Sequence, residues 1–337
     1  MSVALNRWTY LAAATLLGRA NDARAQSIEL KAPPTRAAAL GGRTLGFIRH
    51  IATDAAGRAL LLGGASRQEI FVIDADGRST SQSAVLPDIG ARLGWPAAAA
   101  FDGPNSVVII DSQSPLWARV KLTGGRWVVD TVSSTKFSRV SSVCTLRGKR
   151  YVMAKFGEAT SNGLVHEVNA AGAVTSSFGA PFVEVENPAV GYGHLLCLST
   201  PALVVAASKL HPEVRGYSPA GKLLWSTPLP SFQPMGFRVE GRRVLFSYAP
   251  DSLWDQTVSV FAVAPNVIAV QVGRLRGRGG LAGYLQVRTL YLLATTGVVL
   301  GSQLGLPVIM TATAQKLYAV SEKNAQELDI YSYTLRP

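Results

Sequence analysis

The sequence predicts an all-β fold, a six-bladed β-propeller of four-stranded antiparallel blades, and three observations carry that expectation. Short apolar runs flank tight-turn residues, as at Asp54-Ala55-Ala56-Gly57, Asp74-Ala75-Asp76-Gly77 and Asp102-Gly103-Pro104-Asn105. Turns of this composition between apolar runs mark β-hairpins. The turns recur at a nearly constant interval, the mark of a propeller with one blade per period. Beyond the N-terminal run, no apolar stripe of helical period is present.

The clearest unit is Gly193–Pro230, with apolar runs His194–Leu198, Leu203–Ala207, Val214–Tyr217 and Leu223–Leu229. Thr200-Pro201 turns the first pair and Pro219-Ala220-Gly221 the second. The same four-run unit precedes it three times. The first unit has Phe47–Thr53, Ala59–Gly63, Ile70–Ile73 and Thr80–Leu86. The second has Ala97–Phe101, Ser106–Ile110, Ala118–Leu122 and Trp127–Val132, and the third Val140–Leu146, Tyr151–Ala154, Leu164–Val168 and Ala173–Phe178. First-hairpin turns at Gly57, Gly103, Gly148, Pro201 and Gly241 are 46, 45, 53 and 40 residues apart. Second-hairpin turns at Gly77, Gly124, Gly172 and Gly221 are 47, 48 and 49 apart. Four strands per period of roughly 40–50 residues is propeller spacing.

The rhythm breaks after Gly236–Val239 and Arg243–Tyr248, which open a fifth unit. The next first-hairpin turn, Thr313-Ala314-Gln315, comes 73 residues after Gly241, and the next second-hairpin turn, Thr295-Thr296-Gly297, comes 76 after Gly221. Each interval exceeds the period by one hairpin. The surplus is assigned to Thr257–Val263 and Val267–Val272, an insertion at about 249–288 between the second and third strands of blade five. A seventh, defective blade is the alternative. The last unit (Val308–Ala312, Leu317–Val320, Leu328–Leu335) lacks a fourth strand. An N-terminal strand, Ile28–Leu30 or Thr44–Phe47, is expected to close the ring and remove the open edge.

The chain begins as an export signal does. Arg7 precedes the apolar run Trp8–Gly18, and Ala23-Arg24-Ala25 follows. That order reads as a signal peptide, residues 1–25, cleaved near Ala25, with a propeller domain over 26–337 in the periplasm or outside the cell. The run is shorter than the ~20 apolar residues a membrane span requires, so no transmembrane segment is expected. Only two cysteines follow, Cys144 and Cys197, on the first strands of adjacent units. They form either one bridge or two buried thiols. The net charge of +12 favours anionic partners such as an envelope surface, while nucleic acid is disfavoured for an exported protein.

No sequence motif names an activity. Gly216–Leu223, GYSPAGKL, nearly matches a phosphate loop, but Leu223 stands where a hydroxyl is needed and the setting is a hairpin. Gly277–Ala282 matches a dinucleotide pattern without the strand–helix context that pattern requires. Arg274, Arg276 and Arg278 read as a solvated basic loop. His50, His166, His194 and His211 show no paired metal-ligand spacing, and G-x-S-x-G is absent. No catalytic, cofactor-binding or metal-ligating residue is therefore assigned. The loops from second to third strands are the longer, more polar ones, and binding residues concentrate on loops held by a rigid scaffold. They nominate Trp117, Glu158, His211, Trp254, Asp255 and Glu322 as a binding face for a protein or small ligand.

The phrases "VIDADGR", "VHEVNAAGAVTSSFGAP", "VRGYSPAGKLLW" and "LYLLATTGVVLGS", each a third strand, turn and fourth strand, resemble those of bacterial exported six-bladed propellers of the NHL and TolB-like kind. The resemblance spans Phe47–Pro337 and implies architecture, since that superfamily includes binding, scaffold and metal-dependent enzyme members. The expected function is non-catalytic binding with no cofactor. The alternative is a lyase or lactone hydrolase with a divalent metal in the central channel.

Overall fold

Runs such as Val107–Ile110 and Leu203–Ala207 are apolar at every position rather than at alternate ones, and the structure gives the reason. In the computed structural model both faces of these strands are covered by neighbouring blades. It describes residues 26–337 except 38, 41–42, 45–47, 49, 55, 64–68, 75–83, 86–92, 94–95, 112–114, 157–162, 183–192, 241–242, 247–252, 277–287, 323 and 325.

In chain order, β1 (Ser27–Ala37) precedes a two-stranded ribbon, β2 (Ala39–Leu40) and β3 (Arg43–Thr44). Blade one is β4 (His50–Thr53), β5 (Ala59–Gly63), β6 (Glu69–Ile73) and β7 (Ala84–Val85). Blade two is β8 (Pro96–Gly103), β9 (Ser106–Asp111), β10 (Leu116–Thr123) and β11 (Arg126–Ser134). Blade three is β12 (Phe137–Leu146), β13 (Lys149–Phe156), β14 (Val165–Val168) and β15 (Val174–Phe178). Blade four is β16 (Gly193–Ser199), β17 (Ala202–Ser208), β18 (Glu213–Tyr217) and β19 (Leu223–Pro228).

A separate hairpin follows, β20 (Phe237–Glu240) with β21 (Arg243–Phe246). Blade five is β22 (Leu253–Ala264), β23 (Val267–Arg276), β24 (Arg288–Ala294) and β25 (Val299–Leu304). Blade six is β26 (Val308–Ala312), β27 (Lys316–Val320) and β28 (Leu328–Arg336), with β1 as its outer strand. Ile28 faces Leu335 and Leu30 faces Tyr333 across that pairing, so the segment Ile28–Leu30 closes the ring. Six blades are formed, and the seven-blade alternative is set aside.

The surplus hairpin is corrected. It is Phe237–Phe246, before blade five, while Thr257–Val263 and Val267–Val272 belong to that blade's own two inner strands. Both are hairpins of similar turn chemistry. What separates them is whether Arg288–Ala294 runs alongside, and it pairs with β23 over seven residues. β23 can bury both faces, whereas β20–β21 carries the exposed ion pair Arg238–Glu240 at 2.9 Å.

Six apolar clusters fill the six junctions between blades. On β17, Val204 and Ala206 face blade three while Leu203, Val205 and Ala207 face blade five. On β9, Val107 and Ile109 face blade one while Val108 and Ile110 face blade three. Period-two alternation here sorts side chains between two cores, not between core and water. Burial of each such Val, Leu or Ile side chain contributes about 1.5–3 kcal/mol.

Candidate functional site

The six first strands surround a central channel of about 1300 Å³. Neighbouring first strands are stitched together, because each junction carries a side-chain hydrogen bond to a backbone group of the next blade. In chain order, His50 Nε2 donates to Ala99 O (2.8 Å) and Thr145 Oγ1 to Phe101 O (2.5 Å). The Leu195 amide donates to Ser142 Oγ (2.9 Å), and His194 Nε2 to Thr257 O (3.1 Å). Ser259 Oγ donates to Ile309 O (2.5 Å) and Thr53 Oγ1 to Ala312 O (3.0 Å). These bonds satisfy strand carbonyls and amides that would otherwise face the channel unpaired. They explain why single hydroxyls and imidazoles interrupt otherwise apolar first strands.

At the junction of blades three and four, Cys144 and Cys197 form a disulfide with Cα atoms 5.6 Å apart. Both cysteines line the channel; Cys144 is buried and Cys197 half-buried.

The ends of the channel differ. First strands begin at the end that carries the long loops, where His50 and His194 stand half-buried. Each imidazole bonds a carbonyl through Nε2, so Nε2 holds the proton and Nδ1 is the lone-pair acceptor. Burial pushes the His194 pKa down to about 4, and the nearby Lys209 ammonium pushes the same way. Burial likewise lowers His50, and each imidazole is neutral at pH 7. Lys209 has exposed surface but is closely surrounded by protein, and that desolvation lowers its own pKa. The middle of the wall is apolar, with Leu196, Val258, Val260, Ala262 and Met310 partly exposed on it. At the other end, the first-hairpin turns bring in Asp54, Arg58, Asp102 and Arg147.

The residues nominated for a loop-face site separate into different roles. Trp117 is wholly buried between blades two and three, so close to Gly172 that a Cβ there would stand 2.9 Å from its ring. Trp254 is also buried. Neither is a surface contact residue. Each is the second residue of a strand, where a large apolar ring is drawn between blades rather than left in a loop.

Asp255 is buried and held by Arg274, with Nε and Nη2 at 2.8 and 3.0 Å, and by the Gln233 amide at 2.8 Å. It fastens the approach to blade five, and the hydrogen-bonded carboxylate raises the Arg274 pKa. Arg274 is therefore an ion-pair partner in β23, not part of a solvated loop. His211 is half-exposed, stacked 6.3 Å from Phe182, and 3.6 Å from Glu213. Arg215 lies 4.4 Å over the same Phe182 ring and forks onto Glu213 at 2.8 and 2.9 Å. Burial lowers the His211 pKa despite the Glu213 carboxylate. Glu322 is exposed, and Glu158 lies outside the described residues. His166 is a satisfied core histidine, bonded to Ser177 Oγ (2.8 Å) and Ala154 O (3.0 Å).

No group of three or more His, Cys, Asp or Glu side chains converges among the described residues. No helix among them is long and apolar enough to cross a membrane.

Six stitched blades around an open channel define a six-bladed β-propeller. One solved structure with a TM-score above 0.5 agrees at the level of fold. A member of the DUF4221 family from Bacteroides vulgatus is similar at TM-score 0.64 and 9% identity, over 92% of this chain and 98% of that one. Virginiamycin B lyase from Staphylococcus aureus has TM-score 0.47 and 10% identity, over 91% and 99% of the two chains. BamB from Moraxella catarrhalis has TM-score 0.42 and 13% identity, over 91% and 96%. No protein-family model matches the chain, and no curated protein sequence matches it.

Proposed function

We propose that this protein is an exported, non-catalytic binding propeller whose ligand enters the central channel. The observation that carries the reading is the channel itself: about 1300 Å³, with Leu196, Val258, Val260, Ala262 and Met310 on its wall between hydrogen-bonded hydroxyls such as Ser142 and Ser259. Concave, largely apolar sites with a few placed polar groups are the usual form of a ligand pocket. The stitching across all six junctions supports a wall that is formed before the ligand arrives, which lowers the ordering cost of binding. The two imidazoles act as neutral hydrogen-bond acceptors rather than as bases, because burial keeps His194 unprotonated down to about pH 4. The loop face serves as the channel's rim.

N-phenyl-1-naphthylamine, an uncharged apolar dye, provides the test. Saturable fluorescence enhancement is expected with the natural protein. Enhancement should fall in Ala262→Trp, which puts an indole against the apolar part of the channel wall, provided that variant keeps its β-sheet circular dichroism. Dye binding that ignores the added indole would overturn the reading. So would a divalent metal at one equivalent in the purified protein, a result that favours a lyase or lactone hydrolase.

A further inference from the structure

We propose that the channel takes an amphipathic anion, a carboxylate on an alkyl or aryl body, with the carboxylate at Arg147; this rests on the channel reading above. The body is matched by the apolar wall, where Leu196, Val258, Val260, Ala262 and Met310 are partly exposed. The carboxylate is matched by the charge left over at the turn end.

Four charged residues line that mouth, and three are already engaged with opposite charge. Arg58 Nε donates to Asp54 Oδ2 at 2.8 Å, and Arg150 Nη2 donates to Asp102 Oδ2 at 2.6 Å. Arg147 has no carboxylate partner among the described residues. Its Nη2 donates to a backbone oxygen, Ser199 O of blade four, at 3.0 Å. A guanidinium offers five donors, so this one bond leaves most of its capacity for a ligand at the mouth it lines.

The backbone supports a role for this side chain. Arg147 sits at φ 50° and Gly148 at φ 78°, the first and second central residues of the β12–β13 turn. Positive φ at both positions is a type I′ turn, for which Asn-Gly is the favoured pair. A side chain with a long aliphatic stem is strained there, and Asn would relieve the strain. The turn therefore does not call for arginine. The guanidinium instead reaches across to the next blade's turn, which holds its charge over the opening.

Among the described residues, the channel lining at the opposite end holds no carboxylate. His50 and His194 are neutral, and Lys209 is cationic. Along the described wall, the acidic groups are Asp54 and Asp102, both paired, so the channel as a whole favours an anion.

The experiment measures displacement of N-phenyl-1-naphthylamine by decanoate and by 1-decanol. With the natural protein, decanoate should be at least tenfold the better competitor, and the preference should shrink as salt is raised. Arg147→Asn removes the cation while easing the turn, so it should fold at least as well; its preference should fall to threefold or less. Equal competition by decanoate and decanol in the natural protein would overturn the anion assignment while leaving the channel reading intact. A full preference in Arg147→Asn would overturn the role of Arg147. Dye binding that Ala262→Trp does not weaken would remove the channel reading itself.

Discussion

Breaking the Cys144–Cys197 bridge should lower the melting temperature by about 6 °C. The bridge closes a 53-residue loop. For a loop of that length, the restriction of the unfolded chain amounts to about 14 cal/mol/K, or about 4 kcal/mol at 25 °C. The folded ring retains its other ties at this junction, namely the Leu195 amide on Ser142 Oγ at 2.9 Å and the apolar cluster around Tyr151, Val204 and Tyr217. The effect therefore falls mainly on the unfolded chain. For a chain of 337 residues the unfolding entropy is about 0.7 kcal/mol/K, which converts 4 kcal/mol to about 6 °C. Thermal melts of the oxidised protein and of the double variant Cys144→Ala/Cys197→Ala would measure it, with thiol titration before each melt. A double variant that melts within 1–2 °C of the oxidised protein would refute the reasoning.

Two further outcomes test the packing and the channel electrostatics. Gly216→Ala would place a Cβ 2.2 Å from Trp225 Cε2, displacing the indole whose Nε1 donates to Thr295 O of blade five at 2.8 Å. Overpacking and the lost bond together should cost about 2–4 kcal/mol, read as a drop of about 3–6 °C. A Trp225→Leu background should suppress most of that penalty, and a full penalty there would contradict the contact. His194 has a folded pKa near 4, below its unfolded value near 6.5. The unfolded state thus binds more protons between those values, and stability is full above pH 6.5 and falls as pH drops towards 4. The His194 share is at most about 3 kcal/mol, reduced by the water that reaches its exposed edge. His194→Gln keeps a donor for Thr257 O and should flatten the denaturation-versus-pH slope between pH 6.5 and 4.5; an unchanged slope would count against a neutral, buried imidazole.

Much of the architecture was legible because propeller geometry repeats locally. Turns such as Asn169–Gly172 and Ser218–Gly221 announce themselves in composition, and a missing fourth strand in the last unit pointed to closure by Ile28–Leu30 or Thr44–Phe47, of which the first pairs with β28. The candidate site was less legible. Trp117, Trp254 and Asp255 looked like loop residues because a strand that starts two residues earlier, at Leu116, or four residues earlier, at Leu253, leaves no mark in the sequence. The residues that stitch the channel were visible only as scattered hydroxyls in apolar strands, as in Thr53, Ser142, Thr145 and Ser259. The stitching side chains come from four of the six first strands, two each from β4 and β12 and one each from β16 and β22, so no regular pattern marked them.

The sequence alone determined the all-β class, a repeat of six units or seven with one surplus hairpin, and closure of the ring by an N-terminal strand, either Ile28–Leu30 or Thr44–Phe47. Those features depend on turn chemistry and spacing, which act over a few residues and recur. The tertiary structure decided which hairpin is surplus, because that rests on whether β24 runs beside β23. It also decided that Cys144 meets Cys197, that Asp255 meets Arg274, and that Arg147 stands across the channel mouth beside Ser199. Each is a meeting of groups brought together by pairing between strands or by the curvature of the ring, and no local pattern encodes which side chains will face one another across such a junction.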